Sequence, residues 1–154
     1  MNTYLKSFLV FFLLVPAVLR AQDIQPPVTM PDLPEFFVDA LSFSSDQPGM
    51  SRLDVYVEIP YNQLRFVNQD NVFRAGFEAT LSIKDSAGKL TTEKWINEKL
   101  ETKEYEATIS RNEGKLIQRS FTLAPGRYTV AIQLTDNETQ KTSRDQREIG
   151  RAHV

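Results

Sequence analysis

The sequence predicts an all-β protein: an immunoglobulin- or fibronectin-like antiparallel β-sandwich of seven to eight strands behind an N-terminal signal-peptide helix. Three observations carry this. From residue 35 onward apolar and polar residues alternate with period two, the mark of strands with one buried face. Turn chemistry rich in Gly, Pro, Asp and Asn recurs between those runs at sandwich-like spacing. The stretch Leu123-Ala124-Pro125-Gly126-Arg127-Tyr128 reads as a Pro-Gly turn feeding an alternating strand, with Tyr128 placed as in a sandwich's tyrosine corner.

The elements follow in order. Met1 to Lys6 is a short head with one positive charge, Lys6, and Phe8 to Val15 is an apolar run broken by Pro16. The run closes at Arg20-Ala21-Gln22, so residues 1–21 read as a secretory signal cleaved after Ala21. It falls short of the ~20 apolar residues a bilayer span needs, which counts against the competing reading of an uncut membrane anchor. Residues 22–34 hold Pro26, Pro27, Pro31 and Pro34, which favour an extended leader over a helix or central strand.

The sandwich domain is expected over residues 35–149. Phe36 to Phe43 is a strand apolar on both faces but for Asp39 and Ser42, and Ser45 to Gly49 turns it. Leu53, Val55, Val57 and Ile59 alternate with Arg52, Asp54, Tyr56 and Glu58 up to Pro60; Leu64 to Val67 then resumes an extended segment. Beyond the polar tip Asn68-Gln69-Asp70-Asn71, Phe77, Ala79, Leu81 and Ile83 alternate with Glu78, Thr80, Ser82 and Lys84. Asp85-Ser86-Ala87-Gly88 turns the chain into a strand from Leu90 to about Leu100, with Trp95 and Ile96 on opposite faces. Glu101 to Arg111 suits either a strand or one helical turn. Leu116 to Leu123, Tyr128 to Leu134 and Thr142 to Ile149 complete the set, and residues 150–154 read as a disordered tail. A closed barrel is the competing architecture. Pro125 and Gly126 suit the centre of a type II turn, with Gly126 at positive φ. Tyr128 is placed for a tyrosine corner, ring in the core and hydroxyl on a nearby carbonyl.

Composition excludes several functions. The chain has no cysteine, so neither a disulfide framework nor a lipid-anchored cysteine beside the cut is available. Removing Lys6 and Arg20 with the signal leaves sixteen basic residues against twenty acidic ones, a charge of about −4 that argues against nucleic acid as partner. His153, the sole histidine, sits second from the end, so neither a serine–histidine nucleophile nor a zinc site is expected. No catalytic residue, metal ligand or cofactor is assigned, and the chain reads as no enzyme. Asp54, Glu58 and Glu78 are carboxylates on the polar phase of their strands and read as a solvated face rather than an acid–base pair. Asn68 to Asn71 and Asp136 to Glu138 are oxygen-rich but read as turns rather than calcium loops.

Residues 54–67, DVYVEIPYNQLRFV, resemble the N-terminal part of bacterial GWxTD-domain proteins. Gln118-Arg119-Ser120-Phe121, Leu123-x-Pro125-Gly126-x-Tyr128 and Lys141-Thr142-Ser143-Arg144 fit the same pattern, over roughly Phe37 to Ile149. The Gly-Trp-x-Thr-Asp motif is absent: Trp95 stands in Glu93-Lys94-Trp95-Ile96-Asn97. The resemblance implies an exported sandwich, periplasmic or secreted, that is either the N-terminal part of a longer protein, the preferred reading, or a paralogue keeping only the sandwich; it carries over no functional residue.

Two features are candidates for partner binding. Tyr61 and Arg65 lie in the Pro-broken segment Ile59 to Phe66, which suits either a partner-facing corner or a crossing between sheets. Trp95 suits a protein hot spot or a sugar-stacking platform, although core packing is the expected place for a lone tryptophan. The sequence therefore points to a non-catalytic interaction or structural module of the bacterial envelope, its partner an envelope protein or a missing C-terminal domain, with no stable membrane span once the signal is removed. An ancillary carbohydrate-binding domain is the alternative.

Overall fold

A computed structural model describes residues 33–150. The signal segment, the leader up to residue 32 and residues 151–154 lie outside the described residues. Among the described residues eight strands form: β1 (Phe37–Ser44), β2 (Ser51–Pro60), β3 (Val67–Gln69), β4 (Val72–Asp85), β5 (Leu90–Thr102), β6 (Gly114–Leu123), β7 (Tyr128–Asp136) and β8 (Thr142–Ile149). One helical turn, α1 (Tyr105–Thr108), fills the segment that suited either a strand or a helix. Among the described residues no helix is long and apolar enough to cross a membrane.

Every pairing is antiparallel. One sheet has three strands in the order β1-β2-β6. The other has five, with β4 between β5 and β7, β8 beyond β7, and short β3 on the first residues of β4. The chain crosses between sheets after β2, after β5 and after β6, the connectivity that makes a sandwich rather than a meander.

The alternation explains the core. Val55, Val57 and Ile59 on the inner face of β2 meet Phe77, Leu81 and Ile83 of β4 and Val130 and Leu134 of β7, all within one buried cluster. Each such side chain stabilises the fold by about 1.5–3 kcal/mol relative to exposure. β4 is the spine, because it alone bonds β3, β5 and β7.

Turn residues act as their chemistry requires. Asp85 Oδ1 accepts the amides of Ala87 and Lys89 at 2.9 Å each, and Gly88 takes φ 78°. Asp70 and Asn71 both adopt positive φ (53° and 62°), so β3 and β4 are joined by a two-residue turn of the kind hairpin twist favours. The extended segment expected at Leu64 to Val67 becomes strand only from Val67, after a 3-10 turn at Tyr61–Gln63.

The corner after β6 holds as a tyrosine corner: the Tyr128 hydroxyl donates to the Ala124 carbonyl at 2.8 Å, and its ring packs against the core. Gly126 is a correction. It is not at positive φ, so the turn is not type II. A Cβ there would stand 3.4 Å from the Tyr128 ring, so the residue forms a low bed beneath the ring rather than a left-handed hinge.

Candidate functional site

β5 settles the position of Trp95. Ile96 and Leu100 share the inner phase and are buried, so Glu93, Trp95, Asn97 and Lys99 face outward. Trp95 is 64% exposed, which overturns the expectation of core packing. The sandwich fills its interior with aliphatic side chains, Phe77 and Phe121, and the strand's phase leaves the indole on the solvent face.

The outer face of the five-stranded sheet is ordered in rows by strand register. Trp95 opposes Thr80, which opposes Gln133, which opposes Arg144. The next row runs Glu93, Ser82, Ala131, Gln146. Short side chains at Thr80, Ser82 and Ala131 make a floor; longer ones at Lys84, Glu93, Gln133 and Arg144 rise around it. The result is a shallow cleft of about 730 Å³. Its polar groups are already oriented: Arg144 Nε donates to Gln133 Oε1 at 2.8 Å, and Ser82 Oγ donates to Glu93 Oε2 at 2.8 Å. The cleft's charged residues balance, Lys84 and Arg144 against Glu93 and Asp145. Trp95 is not among the residues that line the cleft; it stands one strand spacing, ~4.8 Å, from Thr80, which is.

Tyr61 and Arg65 belong elsewhere. Tyr61 packs against the core with its ring 5.5 Å from that of Phe66, and its amide donates to the Glu113 carbonyl at 2.9 Å. The Arg65 amide donates to Asp136 Oδ2 at 2.7 Å while its side chain is exposed. This segment is the crossing from the three-stranded to the five-stranded sheet, and it is not on the face that carries Trp95.

Asp136 anchors that crossing. It is 2% exposed, and its Oδ1 accepts the amides of Glu138 and Thr139 at 2.8 Å each and the Thr139 hydroxyl at 3.1 Å. Turn chemistry therefore accounts for the oxygen-rich stretch from Asp136 to Glu138. Among the described residues no group of three His, Cys, Asp or Glu side chains is placed to hold a metal ion.

Asp54 departs from expectation. It keeps the outward phase of β2 but is 4% exposed, sandwiched between Leu41 of β1 and Ser120 of β6. Arg52 Nε lies 3.2 Å from its Oδ1, an ion pair too poorly aligned for a hydrogen bond, so that oxygen has no hydrogen-bond partner. Glu58 and Glu78 are exposed, as a solvated face requires.

The residues around Trp95 were not legible as a site, since Thr80, Ser82, Gln133 and Arg144 read singly as solvated strand positions. The available signal was phase: Ile96 and Leu100 share one parity and commit Trp95 to the other.

No family model matches the sequence, and no curated protein matches it. Solved structures similar to the chain include the structural genomics target SoR45, at 12% identity and TM-score 0.42, covering 78% of this chain and 85% of that one. A calcium-binding mutant of Bacteroides uniformis beta-glucuronidase 2 is similar at 17% identity and TM-score 0.42, over 73% of this chain and 12% of that one. A protein from Archaeoglobus fulgidus is similar at 12% identity and TM-score 0.38, over 77% of this chain and 97% of that one. Likeness at this level carries no activity or ligand across.

Proposed function

We propose that this chain is a non-catalytic β-sandwich binding module of the bacterial envelope, the exported N-terminal part of a longer GWxTD-type protein, and that it binds through the Trp95 face. The observation that supports this is the indole itself, 64% exposed on the same sheet face as the polar cleft and paired in register with the lining residue Thr80. Leaving so large an apolar ring in water forgoes much of the ~1.5–3 kcal/mol its burial would supply, so the exposure suits a surface completed by a ligand.

The same geometry favours a neutral glycan over an envelope protein as that ligand. Protein interfaces centre on apolar, charge-depleted patches. Here the floor is hydroxyl and methyl, the walls are amide and charged groups, and the charges cancel. A sugar ring presents an apolar C–H face to an indole and hydroxyls to Gln133, Arg144 and Glu93.

Titration of Trp95 fluorescence with a panel of soluble neutral polysaccharides tests this. The free chain should emit at long wavelength and be quenched by iodide; a bound glycan should blue-shift the emission and block the quenching. Trp95→Ala should abolish retention on the polysaccharide in affinity electrophoresis without changing the circular dichroism. If no polysaccharide shifts the emission but capture of an envelope protein depends on Trp95, the protein reading replaces the glycan. Capture indifferent to Trp95 would remove this face from the account.

A further inference from the structure

Among the described residues four long strands carry a free edge: β1 and β6 in the three-stranded sheet, β5 and β8 in the five-stranded one. An open edge recruits another strand unless charge, proline or a bulge blocks it. Three of these edges are blocked. β6 turns Lys115 and Arg119 toward the interior side, and Lys115 Nζ is held 2.8 Å from Glu98 of β5. β5 carries Lys94, Glu98 and Lys99, with a register shift at Ile83/Lys84 in its ladder with β4. β8 carries Arg144, Asp145, Arg147 and Glu148.

β1 is different. Its eight residues, FVDALSFS, include one charge, Asp39, no proline and no basic residue, and its ladder with β2 runs unbroken. Phe37, Leu41 and Phe43 are exposed on its outer face. The Ala40 amide bonds Asp39 Oδ1 at 2.8 Å instead of β2, which marks the even-numbered residues of β1 as those whose backbone groups point to the open edge.

We propose that β1 is a self-association edge: two copies pair antiparallel through β1 about a two-fold axis at Ala40, merging two three-stranded sheets into one of six. Strand geometry fixes the register. Opposed residues must share a face, and the even-numbered residues must face one another. Centring the axis on Asp39 would set the two Asp39 side chains directly opposite, a like-charge pair. Centring it on Ala40 sets Phe37 of each copy against Phe43 of the other and Asp39 against Leu41. Two aromatic pairs form and the lone charges stay apart. The Ala40 amide then leaves Asp39 for the Ala40 carbonyl of the second copy.

Sedimentation velocity of the full chain across a concentration series tests this. The expected result is a reversible dimer. Leu41→Glu, placed opposite Asp39 of the second copy, should raise the dimer Kd roughly tenfold through two like-charge pairs. Adding Asp39→Lys to that variant should restore association, since both pairs become Lys–Glu. Circular dichroism keeps loss of fold apart from loss of pairing. If Leu41→Glu does not fold, amide exchange in the wild-type chain decides: the Val38, Ala40 and Ser42 amides should exchange more slowly as concentration rises. A monomer at every concentration overturns the proposal, as does a dimer that ignores the charge reversal. Amides protected at every dilution would mean that the same chain covers the edge, which overturns it equally.

Discussion

Replacing Asp136 with alanine removes one carboxylate and four hydrogen bonds: those from the amides of Arg65, Glu138 and Thr139 and from the Thr139 hydroxyl. The costs are unequal. Glu138 and Thr139 are exposed, so water replaces much of what their amides lose. Losing that turn resembles losing a helix N-cap, about 1 kcal/mol. The Arg65 amide is bonded at 2.7 Å in a part-buried place, and stranding it costs about 2 kcal/mol more. The total is about 3 kcal/mol, which in urea at a slope of about 1.5 kcal/mol/M lowers the midpoint by about 2 M. Asp136→Asn keeps one acceptor oxygen and loses the charge, so about half that loss is expected. Equilibrium unfolding by urea, followed by circular dichroism at matched slope, measures both. A loss below about 0.7 kcal/mol for Asp136→Ala would refute the tie between the crossing and the last turn, since that is less than one such bond.

Three further outcomes follow from the same structure. Gly126→Ala should be neutral or stabilising by up to about 1 kcal/mol, because the position has no positive φ to strain and the added methyl meets the Tyr128 ring at contact distance; a lowered urea midpoint would contradict this. Tyr128→Phe should cost about 1 kcal/mol through loss of the bond to Ala124, and an unchanged midpoint would remove the corner's energetic role. Arg52→Ala, which leaves the buried Asp54 carboxylate without its cation, should destabilise more than Asp54→Leu, which removes the buried charge altogether; the reverse order in thermal melts would show that the ion pair is net stabilising.

Strand boundaries were largely readable because a sandwich strand needs period-two alternation and its turns need Gly, Asp or Asn. Leu53 to Ile59 and Tyr128 to Leu134 show this. Tyr128 was readable for a related reason: the corner is local, with donor and acceptor four residues apart. What escaped was non-local. Asp136 was visible as a turn residue, but its bond to Arg65 spans 71 positions. Asp54 was assigned the correct face, yet alternation does not say whether neighbours roof the centre of a face, as those around Asp54 do. Trp95 was misjudged by residue type against phase: tryptophans tend inward, but Ile96 and Leu100 had already claimed the interior. At Gly126 the Pro-Gly pair suggested a backbone need where the structure shows a ring lying above it.

The three crossings between sheets also set an order of events for the growing chain. β2 finds its second partner only in β6, with Leu53 opposite Phe121. The β1–β2 hairpin precedes the other strands, and the β6 side of β2 stays unpaired until some sixty more residues have been made. Contacts of such long range slow sandwich folding to milliseconds or longer. The apolar hairpin is therefore the chain's most vulnerable intermediate. A nascent chain stopped before Gly114 lacks the strand that completes its first sheet, so it should be drawn to chaperones or to its own neighbours rather than to a stable half-fold.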